Sequence, residues 1–506
     1  EVMINGKKVL MFGSNSYMGL TTHPKVIEAA VAATKKYGTG LAGSPFLNGT
    51  LDIHKQLEAR LAEYIGKEDV MLYSTGFGVN LGVVSTLTGR EDYVILDEQD
   101  HASIIEGRRL SFSSYLKYKH NDMASLEDQL KKCKEDKVKL IVTDSVFSME
   151  GDTADLPKII ELKKKYNATV MVDEAHGIGV FGNCGRGLCD HHGVTKDVDL
   201  IMGTFSKSFA SLGGFIATDK EITNYLRHHS RSYIFTASIT PASTAAVNAA
   251  LDIMLSEPER QQNLWDLTNF ALENFKAMGC EIGHTSTPII PLYIRDDYKT
   301  FQVTRDLLDE GVFVNPVVSP AVAPNDTLIR YSLMATHTKE QVTRSLEAIE
   351  KVRDILKGCC VKSADGITYL IIGIENQRDT HYAMVVRNML YDAMNYTSQV
   401  EEYARQHRKD KDVSGAEFLS GFSKDDKLVP VVTLTIFWNT GSWDGARSLH
   451  EMLKVNDKSI LDYVSDYKLN LIVPEEIKDF EKFKTEVGPL LEFISRANSG
   501  KELAKA

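Results

Sequence analysis

The chain has few of the features that would set it apart from an ordinary globular protein. Its six cysteines, Cys133, Cys184, Cys189, Cys280, Cys359 and Cys360, show no paired metal-ligand spacing. The adjacent Cys359 and Cys360 suit neither a Cys-x-x-Cys motif nor an easy mutual disulfide. A reducing, cytoplasmic setting is therefore expected. No apolar run approaches the ~20 residues of a membrane helix and no signal peptide is read, so no transmembrane segment is expected. Positive charge is not in excess: the formal net charge is −11, which gives no general affinity for nucleic acid or anionic membranes. There is no internal repeat and no low-complexity tract. An initiating methionine is also missing, and a chain that starts Glu1-Val2 is expected to be a fragment lacking its natural start. What remains is unremarkable in bulk, with 43% hydrophobic and 25% charged residues. A length of 506 residues calls for two or three domains.

The pattern along the chain is more specific. Residues 23–37 place Pro24 for a first helical turn, with Val26, Ala30 and Ala33 on one face. Residues 53–65 repeat the pattern with Ile53, Leu57, Leu61 and Ile65. Short apolar runs alternate with such helices at 140–145, 169–176 and 200–207, the rhythm of a mostly parallel sheet covered on both faces. Each run ends in polar residues: Asp144-Ser145, then Asp173 and His176, then Thr204 and Lys207. Ligands of open α/β sheets sit at the carboxyl ends of strands. An acid that can hold a pyridine nitrogen protonated, and a lysine that can form a Schiff base with an aldehyde, point to pyridoxal 5′-phosphate (PLP). From about 246 a helical stretch (241–280) leads to short strands at 286–294 and 328–334 and a helix at 338–352, as in a smaller α+β domain. The character changes again at 353, with strands expected at 367–374 and 429–438 and a long helix at 380–408. Three domains are expected, at 1–245, 246–352 and 353–506, and no Gly/Ser/Pro linker marks the last seam.

Residues 1–352 resemble the α-oxoamine synthases, PLP enzymes of fold type I. The likeness runs in order through GSNSYMGL (13–20), YGTGLAGS (37–44), FLNGTLDIH (46–54), YSTGFGVN (73–80), DHASIIEGRRLS (100–111), HND (120–122), VFSMEGD (146–152), VDEAHGIGVFG (172–182), GTFSK (203–207) and IFTAS (234–238). The resemblance implies an aminotransferase-like large domain, a smaller α+β domain, and condensation of an amino acid with an acyl-CoA, with loss of CO2 and CoA. It makes Lys207 the Schiff-base lysine and the base at Cα. It sets Asp173 on the pyridine nitrogen, His176 on the ring's phenolic oxygen and His101 flat on the ring, with Ser145 nearby. Gly76, Phe77 and Thr204 would take the phosphate, together with Thr236 of the other copy, so a homodimer with a shared site is implied. Arg330 would clamp the amino acid's carboxylate, a task that suits a planar guanidinium. Asn15 and Tyr17 fall in the substrate-entrance segment. Pro45 stands where many members carry Arg, so an acyl-CoA or carboxylate contact there is expected to be absent. SPFLNGTLDIH and LSFSSYLKYKHND are most similar to serine palmitoyltransferase-like members. Serine plus a long-chain acyl-CoA, giving a 3-ketosphinganine-type product, is therefore the leading expectation, with glycine C-acetyltransferase and 8-amino-7-oxononanoate synthase chemistry as alternatives.

Residues 353–506 resemble Rpn-type putative transposases of the PD-(D/E)XK nuclease class, through RDILK (353–357), TYLIIGIENQRDTHYAMVVRNMLYDA (368–393), FLSGF (418–422) and SLHEML (448–453). The resemblance implies a restriction-endonuclease-like α/β domain in which Asp354 and Glu375 hold Mg2+ against a phosphodiester. Gln377 replaces a frequent lysine and brings no positive charge. The family region before RDILK is absent, so an incomplete domain is expected, with nucleic acid as a partner only if the segment is intact. The join at 353 reads either as a genuine fusion or as an artefact of sequence assembly. Three function classes result: a PLP-dependent acyltransferase, a metal-dependent nuclease, and a noncatalytic partner subunit. The presence of Lys207, Asp173, His176 and His101 argues against the third.

Overall fold

The computed structural model describes every residue except 324–325, 356–358, 363–367, 378, 411, 456, 483–486 and 497–506. Two compact units are present, Glu1–Ile349 and Glu350–Ala506. The first opens with a hairpin of β1 (Val2–Ile4) and β2 (Lys7–Met11). Its main sheet contains β3 (Asp69–Tyr73), β4 (Tyr93–Asp97), β5 (Ser114–Tyr118), β6 (Lys139–Asp144), β7 (Thr169–Asp173), β8 (Leu200–Thr204) and β9 (Gly214–Thr218). The spatial order is β3-β9-β8-β7-β6-β4-β5. Only β9 runs against its neighbours; the other pairings are parallel.

This topology explains the sequence pattern. The central strands β6 and β8 are buried along their whole length, so they read as apolar runs and not as alternations. Val83, Val142, Met171, Leu200 and Ile216 lie in one core cluster around the sheet. Because β6, β7 and β8 are parallel, their carboxyl ends share one edge. Asp144 is in register with Asp173, and Asp173 with Met202. Helices Gly76–Leu87 and Ala102–Ser111 start at the same edge, after β3 and β4.

A second sheet joins β10 (Ile289–Tyr293), β12 (Asn315–Val317) and β13 (Leu328–Ser332), with β13 in the middle and antiparallel to both neighbours. The short β11 (Val312–Phe313) pairs in parallel with β2. The N-terminal segment is also stitched to the chain around β13. The N–H of Ser332 donates to the Phe12 carbonyl and that of Ala335 to the Tyr17 carbonyl, both at 2.7 Å. These bonds carry Tyr17 to the neighbourhood of Arg330. The expected helical stretch at 241–280 is two helices, Pro241–Ser256 and Glu259–Ala277, broken at Pro258, which has no N–H to continue the ladder.

The second unit contains β14 (Cys359–Lys362), β15 (Thr368–Gln377), β16 (Val431–Phe437) and β17 (Asn470–Ile472), in that spatial order. β14 is antiparallel to β15, and the remaining pairs are parallel. Helix Met384–Asp410 connects β15 to β16. Asn388 Nδ2 donates to Thr435 Oγ1 (2.8 Å), and Thr433 Oγ1 donates to Asp392 (2.6 Å). Met384, Val385, Phe437 and Trp443 belong to its apolar core. Asp354 lies in helix Lys339–Ile355 and Glu375 in β15; their side chains fall outside the described residues. Among the described residues no helix is long and apolar enough to cross a membrane.

Candidate active site

A cavity of about 310 Å3 opens at the carboxyl edge of the main sheet, within the size range of small-molecule sites. Lys207, Asp173, His176, His101, Thr204, Gly76 and Phe77 all line it, so seven of the residues singled out in the sequence meet at one place. A second cavity of similar size, about 330 Å3, is lined by Phe181, Asp190, His191 and Trp265 and contains no lysine.

Lys207 follows β8 in a short turn. Burial pushes its amine down to about 8, against the pull of Asp173 and Asp144, while Arg330 adds to the depression. An amine with a pKa near 8 keeps a sizeable neutral fraction near physiological pH, and that fraction is a nucleophile and a base. Asp173 ends β7 and is 3% exposed. Its Oδ2 accepts from Asn80 Nδ2 (2.8 Å) and its Oδ1 from the N–H of Ala175 (2.9 Å). Asn80 also donates to Ser103 Oγ (2.8 Å), and Ser103 Oγ meets His101 Nδ1 at 2.7 Å. The backbone N–H of His101 donates to Asp144 Oδ2 (2.8 Å). Burial lowers the pKa of His101.

His176 is held by Tyr17, whose hydroxyl lies 2.6 Å from His176 Nδ1. Arg330 Nη2 donates to the same hydroxyl (3.3 Å). A guanidinium only donates, so the Tyr17 hydroxyl accepts from Arg330, and among the described residues Nδ1 is the acceptor within reach of its own hydrogen. The His176 proton is then assigned to Nε2, leaving a donor on the other side of the ring. Burial holds the His176 pKa well below its usual range, and the positive charges of Lys207 and Arg330 add to this. Arg330 is 3% exposed and also donates to the Ser148 carbonyl and to Ser332 Oγ, both at 2.6 Å. Tyr17 and Arg330 thus lie one layer behind the cavity wall. Ser145 is buried, with its N–H on the Asp173 carbonyl (2.8 Å). Asn15 is half-buried, and its Oδ1 has no partner among the described residues. Thr236 is exposed and does not line the cavity.

The start of helix Gly76–Leu87 completes the site. Thr75 caps it by accepting from the N–H of Gly78 (2.9 Å). No described residue bonds the N–H groups of Gly76 and Phe77. A Cβ on residue 76 would lie 2.6 Å from Thr204 Oγ1, so only glycine fits. Free N–H groups at a helix start beside the Thr204 and Ser206 hydroxyls form an anion seat. An anion seat, a buried fixed carboxylate and a buried amine around one cavity fit a phosphorylated pyridine aldehyde, so the residues present suit PLP. Two participants are not apparent from sequence motifs alone, Asn80 and Ser103; Asp144 is legible as a polar strand end, but not as the acceptor of the His101 N–H. The signal for Asn80 was its lone amide in the otherwise apolar helix GFGVNLGVV.

The family model for aminotransferase class I and II matches residues 7–349, and the chain belongs to that family. Within it, the chain is similar to the serine palmitoyltransferase of Bacteroides thetaiotaomicron, with 63% identity over 351 residues, covering 69% of this chain and 89% of the relative. The serine palmitoyltransferase of Sphingobacterium spiritivorum is 56% identical over 363 residues, covering 72% of this chain and 90% of the relative. A high-resolution structure of an SPT with its PLP internal aldimine superposes with a TM-score of 0.68 at 35% identity, covering 69% of this chain and 88% of that one.

Proposed function

We propose that this chain is a PLP-dependent acyltransferase that condenses L-serine with a long-chain acyl-CoA, releasing CO2 and CoA. The observation that carries the reading is the meeting of Lys207, Asp173, His101 and His176 at one cavity. The similarity to serine palmitoyltransferases over the first 350 or so residues supports the substrate pair. Bound there, PLP supplies the electron sink for charge that develops at the amino acid's Cα. Lys207 holds the cofactor and, as a neutral amine, takes the Cα proton on Nζ. Asp173 keeps the pyridine nitrogen protonated, and Asn80 and Ala175 fix its two oxygens. His176 offers Nε2–H to the phenolic oxygen, and His101 packs against the ring. The N–H groups of Gly76 and Phe77 bind the phosphate with Thr204. Arg330 provides positive charge for the amino acid's carboxylate from behind the cavity wall, where Tyr17 orients His176 and Ser145 lies buried beside Asp173, while Asn15 belongs to the substrate-entrance segment. The exposed Thr236 suits a role at the phosphate of a second copy, so the working form is a homodimer in the cytoplasm, with a PLP-binding part at 1–245 and a smaller part at 246–352. Turnover of serine with palmitoyl-CoA, followed by CoA release, tests the reading. A far higher kcat/KM with short acyl-CoAs, or with glycine or alanine, would replace it by one of the sister reactions.

For residues 353–506 we propose a partial nuclease-like fold of the Rpn type. Support comes from the mixed sheet, in which an antiparallel β14–β15 pair continues into parallel β16 and β17 across a helix. Mg2+-dependent plasmid nicking that disappears in Glu375→Ala would establish activity there.

A further inference from the structure

The wall of the cavity contains a polar chain that the proposed chemistry does not by itself require. Asn80 is fully buried in helix Gly76–Leu87, between two elements of the site. One hydrogen of its amide goes to Asp173 Oδ2 and the other to Ser103 Oγ, each at 2.8 Å. Because the Ser103 hydroxyl accepts from Asn80, its own hydrogen is free for His101 Nδ1 at 2.7 Å. The backbone N–H of Ser103 approaches the same nitrogen at 3.3 Å. His101 Nδ1 therefore receives hydrogens and carries none, and the ring proton sits on Nε2. The amide gives both of its hydrogens away, and the Ser103 backbone N–H, which can only donate, sets Nδ1 of His101 as an acceptor.

We propose that Asn80 and Ser103 are positioning residues of the active site, a relay that fixes the carboxylate of Asp173 and the ring of His101 relative to each other. This inference rests on the function proposed above and adds to it Ser103 and the link through Asn80 from Asp173 to His101. An apolar residue at 80 would leave Asp173 Oδ2 without its side-chain donor and free the Ser103 hydroxyl to rotate. His101 Nδ1 would then rest mainly on the longer contact from the Ser103 N–H, at 3.3 Å. The charged and titratable groups around Asp173 and His101 are Asp144 at the end of β6, Lys207 after β8 and His176 after β7, with Arg330 on β13 acting on Lys207 and His176.

The test uses the full chain loaded with PLP, with Asn80→Ala, Ser103→Ala and the hydroxyl-restoring Ser103→Thr. Three quantities are measured: the pH titration of the visible cofactor band, steady-state kinetics with serine and palmitoyl-CoA, and the thermal midpoint. Asn80→Ala is expected to move the titration midpoint of the band and to lower kcat about tenfold to a hundredfold, as misplacement of reacting groups does. KM for serine is expected to change less than about threefold. Ser103→Ala is expected to lower kcat with the band's midpoint close to that of the parent, and Ser103→Thr to restore most of the rate. A parent-like titration and kcat in both alanine variants, with only the thermal midpoint lowered, would overturn the relay and leave a packing role. If Asn80→Ala does not fold, Ser103→Ala decides alone, and an unchanged kcat overturns the proposal. A parent protein with no cofactor band refutes the proposed function itself; parent-like variants of a protein that has the band refute only the relay.

Discussion

At the scale of single residues, the site works by placing ionisable groups where water cannot stabilise their charge. Lys207 is the main case, with its amine pushed down to about 8 by burial. The neutral amine is the form that attacks an aldehyde, so its fraction in the PLP-free protein rises with pH and levels off above that value. The rate of PLP capture is expected to follow the same curve in stopped-flow absorbance. A rate that keeps climbing to about pH 10, the range of an ordinary lysine, would contradict this. His120 shows the opposite arrangement. Burial disfavours its charge, but hydrogen bonds to Asp152 and Asp97, both at 2.9 Å, outweigh that and lift its pKa to about 10 from an ordinary 6.5. A raised folded-state pKa stabilises fully below the unfolded value and is lost as pH rises through the folded one. The stability gap between the parent and His120→Gln is therefore expected to be full below about pH 6.5 and to shrink steadily as pH rises to about 10, as read by denaturant unfolding. A gap that widens with pH would reverse the assignment.

Elements turn these residues into a site because strands and helices deliver them to one edge. Helix Gly76–Leu87 depends on its first residue having no Cβ. Gly76→Ala would press on Thr204 Oγ1 at 2.6 Å and on the Thr204 Cβ at 2.8 Å. Overpacking of this kind costs about 1–3 kcal/mol. Lower thermal stability and weaker PLP binding are expected, and an unchanged PLP titration would show that the helix start is not the phosphate seat. Much of this level was legible in the sequence. The apolar runs ending in Asp144, Asp173 and Thr204 became β6, β7 and β8, and the helices at 23–37 and 53–65 became Pro24–Tyr37 and Asp52–Ile65. Parallel strands with both faces buried leave a strong local signature, so their ends could be located. The partners of the catalytic candidates left weaker traces. Tyr17 lies 313 positions from Arg330, and nothing near either residue announces the contact. Asn80 and Asp173 are 93 positions apart, and their bond exists only because β3 and β7 end at one edge of the sheet.

For the whole molecule, the unit at Glu1–Ile349 contains every member of the proposed PLP site, and the family match ends at residue 349. A chain ending at residue 352 is therefore expected to stay soluble, bind PLP and sediment as a dimer, and loss of PLP binding on that truncation would tie the site to the second unit. The central claim is that one lysine, one buried acid and one anion seat make a serine-using PLP enzyme. The most direct measurement is the visible absorption spectrum of the purified full chain with PLP, followed by addition of serine, glycine or alanine in turn. The expected result is a cofactor band that is absent in Lys207→Ala and that shifts with serine at far lower concentration than with the other two. A band that does not depend on Lys207, or one that responds to all three amino acids alike, would contradict the account.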